Sequence, residues 1–538
     1  MTRASIVRAQ VVGRPEPPFD RLFDFLTHEI VSHGALARVR FPVSWSERDR
    51  LAGLVAAKRM PLPTDLAEAL LDYHQRLGAS HASKAALERL IRGEAVCSVA
   101  GQQPAPLGGP LYALHKTAAA VGIARRVATR SGVPCVPLFW THVDDSDFDE
   151  IRSIAAADAT LALRDLTLPD HAHRAGSLVG NIAIEPLQVL GEEALARWLG
   201  LPGHAEVARL WQGCLAAARD LGELHSALML RLFAEQGLVV VDPRLPAFRA
   251  AARSVIDRYL LRAEECSQAV RQAGAELEPA LGRRPLADAS LESLVFALED
   301  GTRRKVAVAE ARARGPGVLL SPGVALRPVV QDGVLPTVAM ACGPGELAYL
   351  AQLKEAYQIL DVRPACPVPR FGATWVPPAA VQLLVQSGVD PWELVATTDT
   401  VLRREAERLL PRGVRAELER IRADALTGLE RFSTLSARLD ASLPQLVESA
   451  RGKIDYQFAR LAEGLVGKSR HRLEREHPEW PRLRYYLLPG DKLQERRLAS
   501  LEPVAYRGVA LVAELCDLAE SHAEGLEHGA HSHYLLEL

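Results

Sequence analysis

Two short apolar runs bracket a helix-forming stretch between residues 95 and 140, and that arrangement leaves few architectures open. Residues 95–100 are apolar except for Ser98 and end in Gly101-Gln102-Gln103-Pro104; residues 133–140 end in Phe139-Trp140 and lead into Asp144, Asp145, Asp147, Asp149 and Glu150. Apolar runs of this length, bounded by turn residues, read as buried strands. Between them Gly109-Pro110 opens a helix with Leu111, Leu114, Ala118, Val121, Ile123 and Val127 at apolar positions, and Ser131-Gly132 closes it, glycine being the common terminator. Strand, helix, strand and acidic loop is the order of a βαβ unit with its polar groups at the strands' carboxyl ends.

The same grammar recurs. Residues 238–243 form another apolar run ending in Asp242-Pro243, and residues 337–346 repeat strand, glycines and helix, with residues 367–370 as the successor strand. Upstream, Leu66, Leu70, Leu71, Leu87 and Leu90 place a helical lead-in over residues 64–90; residues 206–236 read as a helix, and residues 250–320 as an inserted region opening with a charged helix. Beyond Asp390 charged residues dominate. Leu418, Ile421, Ala425, Leu429, Phe432, Leu435 and Leu439 recur at three- and four-residue steps, Ser442-Leu443-Pro444-Gln445 starts a second helix, and Leu446, Ala450, Ile454, Phe458, Leu461 and Leu465 continue the seam. This predicts an antiparallel coiled-coil hairpin, serving either as a dimerisation arm or as a helical domain packed within the monomer.

Bulk properties exclude several classes. With 538 residues the chain exceeds one compact core. Its 64 Lys+Arg against 66 Asp+Glu give a net charge of -2, so no global basic footprint points to nucleic acid. Seven scattered cysteines without a CxxC pair argue against a disulfide framework or a structural metal and for thiols in a reducing cytoplasm. No membrane span or signal peptide is expected.

Three segments carry candidate chemistry. The Gly101-Gln102-Gln103 turn and Gly109 helix start offer backbone N–H groups to an anion, with His115 and Lys116 one turn along to meet developing charge; a plain βα connection is the bland alternative. Asp144, Asp145 and Asp147, after Trp140, could orient an amine, accept a proton or hold Mg²⁺, or could simply cap the following helix. Gly343, Gly345 and Glu346 repeat the first pattern, Glu346 alternatively serving only the helix dipole. Residues 462–469 fit a relaxed P-loop, but no strand precedes them and they lie within the helical seam. His528, His531 and His533 read as a solvated terminus rather than a metal site.

The sequence resembles the bacillithiol biosynthesis cysteine-adding enzymes, the BshC family. The blocks that carry the resemblance are Gly101-Gln102-Gln103, Gly109-Pro110-Leu111-Tyr112 with His115-Lys116, Pro137 to Trp140, Asp147-Phe148 with Glu150, Arg327-Pro328, Gly343 to Tyr349, Pro369-Arg370, and Leu488-Pro489 with Gln494-Glu495-Arg496. The resemblance implies an α/β fold: a Rossmann-like core of nucleotidyltransferase type, connective-peptide insertions and a C-terminal helical coiled-coil hairpin that makes a homodimer. The implied divisions are 1–153, lead-in and first half of the core; 154–320, insertions plus a core strand near 237–243; 321–388, second half of the core; 389–476, coiled coil; and 477–538, a segment returning to the core. It further implies a cytoplasmic ligase adding L-cysteine to the amino group of glucosaminyl-malate, with ATP, and Mg²⁺ alongside it, activating the cysteine carboxylate. Catalysis would fall to His115, Lys116, Asp144, Asp145 and Asp147. Gly101, Gln102, Gln103, Gly109, Tyr112, Trp140, Arg327, Gly343, Gly345, Glu346, Tyr349, Arg370, Gln494 and Arg496 would bind substrate or nucleotide. One departure stands out: Ser146 occupies the place of a family histidine, and Arg152-Ser153 that of an Asn-His pair. His115 or His142 would then take over proton transfer. The alternatives are a silent binding homologue or a nucleotidyltransferase-like enzyme with another acceptor.

Overall fold

The computed structural model describes residues 6–11 (backbone only), 28–30, 32, 34–314, 319–390, 393, 395 and 398–538. Its strands are β1 (Ile6–Val11), β2 (Val96–Gln102), β3 (Cys135–Thr141), β4 (Ser153–Ala157), β5 (Leu163–Thr167), β6 (Val239–Val241), β7 (Val295–Glu299), β8 (Thr302–Lys305), β9 (Leu319–Pro322), β10 (Thr337–Cys342), β11 (Cys366–Pro369), β12 (Gly372–Val376) and β13 (Ser532–Glu537). Five helices matter below: α1 (Leu111–Ser131), α2 (Pro344–Leu350), α3 (Val414–Ser436), α4 (Leu443–Glu476) and α5 (Leu511–Glu527). The chain divides into two compact units, residues 1–379 with 491–538, and residues 380–490.

In the first unit β11, β10, β2, β3 and β6 form one sheet in that order, every neighbouring pair parallel. Counted from β2, the chain first builds outward through β3 to β6, then returns to the other side of β2 with β10 and β11. That is the 3-2-1-4-5 order of a Rossmann-type sheet, whose direction of growth reverses between β2 and β10; ligands of such sheets bind in the crevice at that reversal, beyond the strands' carboxyl ends. The strands are almost fully buried, as a parallel sheet covered on both faces requires, which is why they appear as continuous apolar runs. Helix α1 is buried on nearly all sides because α5 covers the face it turns away from the sheet. Gly122 permits that approach: a Cβ there would sit 2.4 Å from the Ala519 carbonyl carbon. Gly132 ends α1 in the left-handed conformation, φ 70°, as its sequence position predicts.

A second sheet, β1-β13-β12, is absent from the sequence expectations. It draws its strands from both chain ends and the segment just after β11, and it overturns the reading of the histidine tail as solvated at His533, which is 4% exposed on the central strand β13, while His528 is exposed as expected. The stripe over residues 64–90 is two helices, Thr64–Arg76 and His81–Ile91, broken at Gly78 with φ 78°. The helix expected over 206–236 is likewise two, the second starting where Asp220 accepts from the Glu223 N–H. The region after β3 contains the β4–β5 hairpin, and residues 250–320 comprise two long helices and the sheet β8-β7-β9. All seven cysteines are free, six of them buried. Among the described residues no helix is long and apolar enough to cross a membrane.

In the second unit, α3 and α4 form an antiparallel hairpin. Arg422 pairs with Asp455 at 2.7 Å and Glu430 with Arg451 at 3.3 Å, so residue numbers rise on one helix as they fall on the other. Much of the expected seam is uncovered: Ile421, Phe432, Leu435, Leu439, Leu446 and Leu461 are all exposed. The P-loop-like residues 462–469 lie inside α4, where no turn is available to cradle phosphate.

Candidate active site

A cavity of about 390 Å³ opens at the carboxyl ends of β2, β3, β10 and β11, beside the reversal point of the sheet. The end of β2 contributes Gln102 and Gln103, and the first turns of α1 contribute Tyr112 and Lys116. His142 and Asp145 come from beyond β3, Gly343, Gly345, Glu346 and Tyr349 from the β10–α2 turn, and Arg370 from the residue after β11; Arg327, Glu150 and Arg496 complete the polar wall. Cations and acceptors alternate around it, Lys116 pairing with Glu346 and Arg327 with Asp145. Parallel strands place their carboxyl ends on one edge, so short segments far apart in sequence converge there.

Lys116 is buried, donates to the Gly101 carbonyl at 2.6 Å and pairs with Glu346 at 2.5 Å. Glu346 also accepts from the Gly343 N–H at 2.9 Å, which closes the first turn of α2 and aims the ammonium into the cavity wall. Gln102 donates to the Tyr112 hydroxyl at 3.1 Å. Gly101 must be glycine for a reason invisible in its own turn: a Cβ there would lie 2.6 Å from His142 Nε2.

Arg370 is held from behind. Its guanidinium makes two hydrogen bonds to Glu495, at 2.6 and 3.0 Å, and one to the Phe371 carbonyl at 2.7 Å. Burial opposes a charge on Glu495, but Arg370 and His115 overcome it and hold the carboxyl well below its usual range. His115 does not line the cavity; it is fully buried and supports this pair. The Trp375 indole N–H can only donate, and it donates to His115 Nε2 at 3.0 Å, so the ring proton sits on Nδ1 and is shared with Glu495 at 3.1 Å. Burial lowers the His115 pKa. A neutral imidazole with both nitrogens engaged positions Arg370 and has no lone pair for a substrate proton. Gln494 serves the same wall by clamping the Trp375 backbone, accepting from its N–H at 2.8 Å and donating to its carbonyl at 3.0 Å.

The acidic run does not converge on one point. Asp144 is buried and accepts from the Ser321 hydroxyl. Asp145 faces the cavity but is held by Arg303 at 3.1 Å and Arg327 at 3.5 Å; burial opposes its charge, and the two guanidiniums win and lower its pKa. Asp147 caps the short helix Phe148–Ile151 by accepting from the Glu150 N–H at 3.2 Å. Among the described residues no group of three or more His, Cys, Asp or Glu is arranged to hold a metal ion.

Three other expected residues lie away from the cavity. Trp140 packs edge-on against Phe248 in the core, ring centroids 5.0 Å apart. Gly101 offers its carbonyl to Lys116 rather than a free N–H to a ligand. The Gly109 helix start is closed by residues 498–500: the Leu111 N–H donates to the Leu498 carbonyl at 2.8 Å and the Ser500 N–H to the Gly109 carbonyl at 2.8 Å, so it offers no open cradle for an anion. Conversely, Glu150 and Glu495 were not among the expected site residues. Both sit in the quoted family blocks, but neither has a local signal of its own. His142 receives the Arg327 guanidinium at Nδ1, 3.2 Å away, and burial followed by Arg327 pushes its pKa well down.

Comparison with known proteins agrees with the Rossmann-type sheet. The family described as "Bacillithiol biosynthesis BshC, N-terminal Rossmann-like domain" matches residues 39–314 and 310–371. Relatives named "Putative cysteine ligase BshC" include one from Solibacter usitatus, 30% identical over 81% of this chain and 84% of its own length. Another, from Koribacter versatilis, is 28% identical over 94% and 96%; one from Geobacillus kaustophilus is 28% identical over 80% and 83%. The chain belongs to the BshC family, the Rossmann-like ligases of bacillithiol biosynthesis.

Proposed function

We propose that the protein forms the amide bond between the carboxyl group of L-cysteine and the amino group of glucosaminyl-malate. The observation that carries this reading is the gathering of cations and acceptors around one cavity. Lys116, Arg327, Arg370 and Arg496 supply fixed positive charge for carboxylate and phosphate oxygens, and Gln103, Asp145 and Glu150 supply acceptors for an amine. An amide-forming enzyme must hold an anionic acyl donor and an amine side by side, and orienting both is worth several orders of magnitude in rate.

Each residue then has a task. Arg370, fixed by Glu495 and His115, binds a carboxylate in two-pronged fashion. Lys116 stabilises charge that develops on the reacting carbonyl. His142, with Nδ1 committed to Arg327, presents its other nitrogen as a donor, and Ser146 is not needed for proton transfer: its backbone N–H supports Asp145 at 2.8 Å. ATP, when bound, would supply a phosphate leaving group for the cysteine carboxyl, and Arg327, Arg370 and Arg496 are the cavity residues suited to hold its phosphates. The Asp144, Asp145 and Asp147 carboxylates are separately engaged and do not fit a shared Mg²⁺ ion, so no step is assigned to one. We further place the protein in the cytoplasm, as a homodimer formed through the exposed apolar positions of the α3–α4 hairpin, paired as a coiled coil.

Incubation of the purified chain with cysteine, ATP and glucosaminyl-malate, followed by mass spectrometry, tests the reaction. Formation of the cysteinyl amide is expected; its absence beside an active relative assayed identically contradicts it.

A further inference from the structure

We propose that Glu150 is the catalytic base that takes the proton from the attacking amine, with Asp145 and Gln103 holding the ammonium before reaction; this rests on the amide-forming reading above.

The cavity contains several groups able to accept a proton, and their partners leave one available. His142 has its Nδ1 lone pair committed to Arg327. Asp145 carries two guanidiniums. Glu346 pairs with Lys116 and closes the α2 turn. Burial holds the Tyr112 and Tyr349 hydroxyls protonated. His115 is sealed behind Arg370.

Glu150 differs from all of these. It lines the cavity at its solvent-open rim, and its backbone is fixed by the Asp147 cap. Asp147 faces it from the cap of its own helix, Asp145 from the loop after β3, the Gln103 amide from the end of β2, the Tyr112 hydroxyl from α1, and Arg327 from the start of the helix Arg327–Val334. Burial and then the two aspartates raise its pKa, with Gln103 and Arg327 pulling the other way. Neighbouring carboxylates driven apart in this manner divide the labour, Asp145 remaining charged to bind and Glu150 the more ready of the two to take up a proton.

Gln103 adds an independent observation. It is 6% exposed, its N–H groups serve Asp145 and Glu150, and its Oε1 has no hydrogen-bond partner in the protein. A buried amide oxygen without a donor is costly. An ammonium ion is a donor that satisfies it while lying next to both carboxylates.

The step balances as follows. Glu150 takes one proton from the ammonium and passes it to water. The freed lone pair forms the N–C bond to the carbonyl carbon of a carboxyl-activated amino acid, a mixed anhydride with phosphate or a nucleoside monophosphate. The C–O bond breaks with its electron pair on the phosphate oxygen, and the excess proton on nitrogen goes to the same carboxylate.

The test uses the full chain and its E150Q, E150D and E150A variants, each first shown to retain the wild-type melting temperature. Glucosaminyl-malate is the amine, and its N-acetyl derivative the amine-blocked probe. E150Q is expected to lose about 100-fold or more in kcat together with the ascending limb of the pH profile. E150D should keep part of the rate, and formate should restore E150A. Wild-type kcat and an unchanged pH profile in E150Q overturn the proposal and leave the ligase reading standing. If the wild type forms no amide, that reading falls and calorimetry decides the site. Amine binding about tenfold weaker in E150Q, with N-acetyl binding unchanged, supports it; equal amine binding by both proteins, or none, overturns it.

Discussion

Replacing Glu495 by glutamine strikes the support of the site without touching the cavity surface. The carboxylate accepts three charge-assisted or neutral hydrogen bonds, from Arg370 at 2.6 and 3.0 Å and from His115 at 3.1 Å. The side chains of Glu495 and Arg370 are only 5% and 6% exposed, so solvent does not screen them. A glutamine has one acceptor oxygen, and because Arg370 bonds both carboxylate oxygens its NH₂ faces the guanidinium in either orientation, donor against donor. Removing one partner of a buried pair costs about 3–5 kcal/mol. Glutamine with its oxygen in the place shared by Arg370 and His115 keeps two of the three bonds, so the lower end, about 3 kcal/mol, is expected, which is more than a hundredfold in the folding equilibrium. Urea unfolding followed by tryptophan fluorescence reads this directly, Trp375 being bonded to His115, provided the slope with denaturant is unchanged. The double variant R370M/E495L should recover most of the stability, since an apolar pair of similar volume replaces two buried charges, yet stay inactive for want of the guanidinium. An E495Q loss below about 1 kcal/mol, or a double variant no more stable than the single, refutes the argument that this pair is a mutually dependent support.

Three further outcomes are expected. His74 is buried, donates from Nδ1 to the Leu70 carbonyl at 2.7 Å and accepts from the Val240 N–H at 3.1 Å, and burial lowers its pKa to about 4; between that value and the unfolded 6.5 only the unfolded chain binds the proton. Stability therefore falls as pH drops through that window, by about 3 kcal/mol in full, and H74Q should flatten the dependence of the urea midpoint on pH, a parallel curve counting against it. G101A should lower kcat/KM at least about tenfold by displacing His142, with a melting temperature close to wild type; unchanged kinetics would show that His142 has no part in the reaction. K116M should reduce kcat about 100-fold and K116R should restore little, because a planar fork does not replace a point charge between Gly101 and Glu346; full activity in K116M would remove Lys116 from the chemistry.

How much of this was legible in the sequence follows from how local each signal is. The strands of the parallel sheet announce themselves because burial on both faces forces continuous apolar runs, and the turns after β2 and β10 carry their glycines and amides in plain sight. Gln102, Gln103, Lys116, Glu346 and Arg370 could therefore be nominated from short segments. Glu495 could not: its partners lie 125 and 380 residues away, and a lone Gln-Glu-Arg in irregular chain has no periodicity. The histidine tail misled for the same reason. Its burial comes from β12 and β1, strands contributed by remote segments, and an alternation of polar and apolar residues at a terminus reads as solvated until its partners are known. The acidic run shows the converse limit, since sequence proximity brought Asp144, Asp145 and Asp147 together on paper while three different partners separate them in space.

The central claim, that this cavity joins cysteine to an amino-sugar malate glycoside, is tested most directly by profiling the thiols of cells with and without the chain. Deletion should abolish bacillithiol and accumulate glucosaminyl-malate, and restoring the wild-type chain should reverse both, whereas E495Q should not. Unchanged bacillithiol, or its loss without any rise in glucosaminyl-malate, would contradict the account.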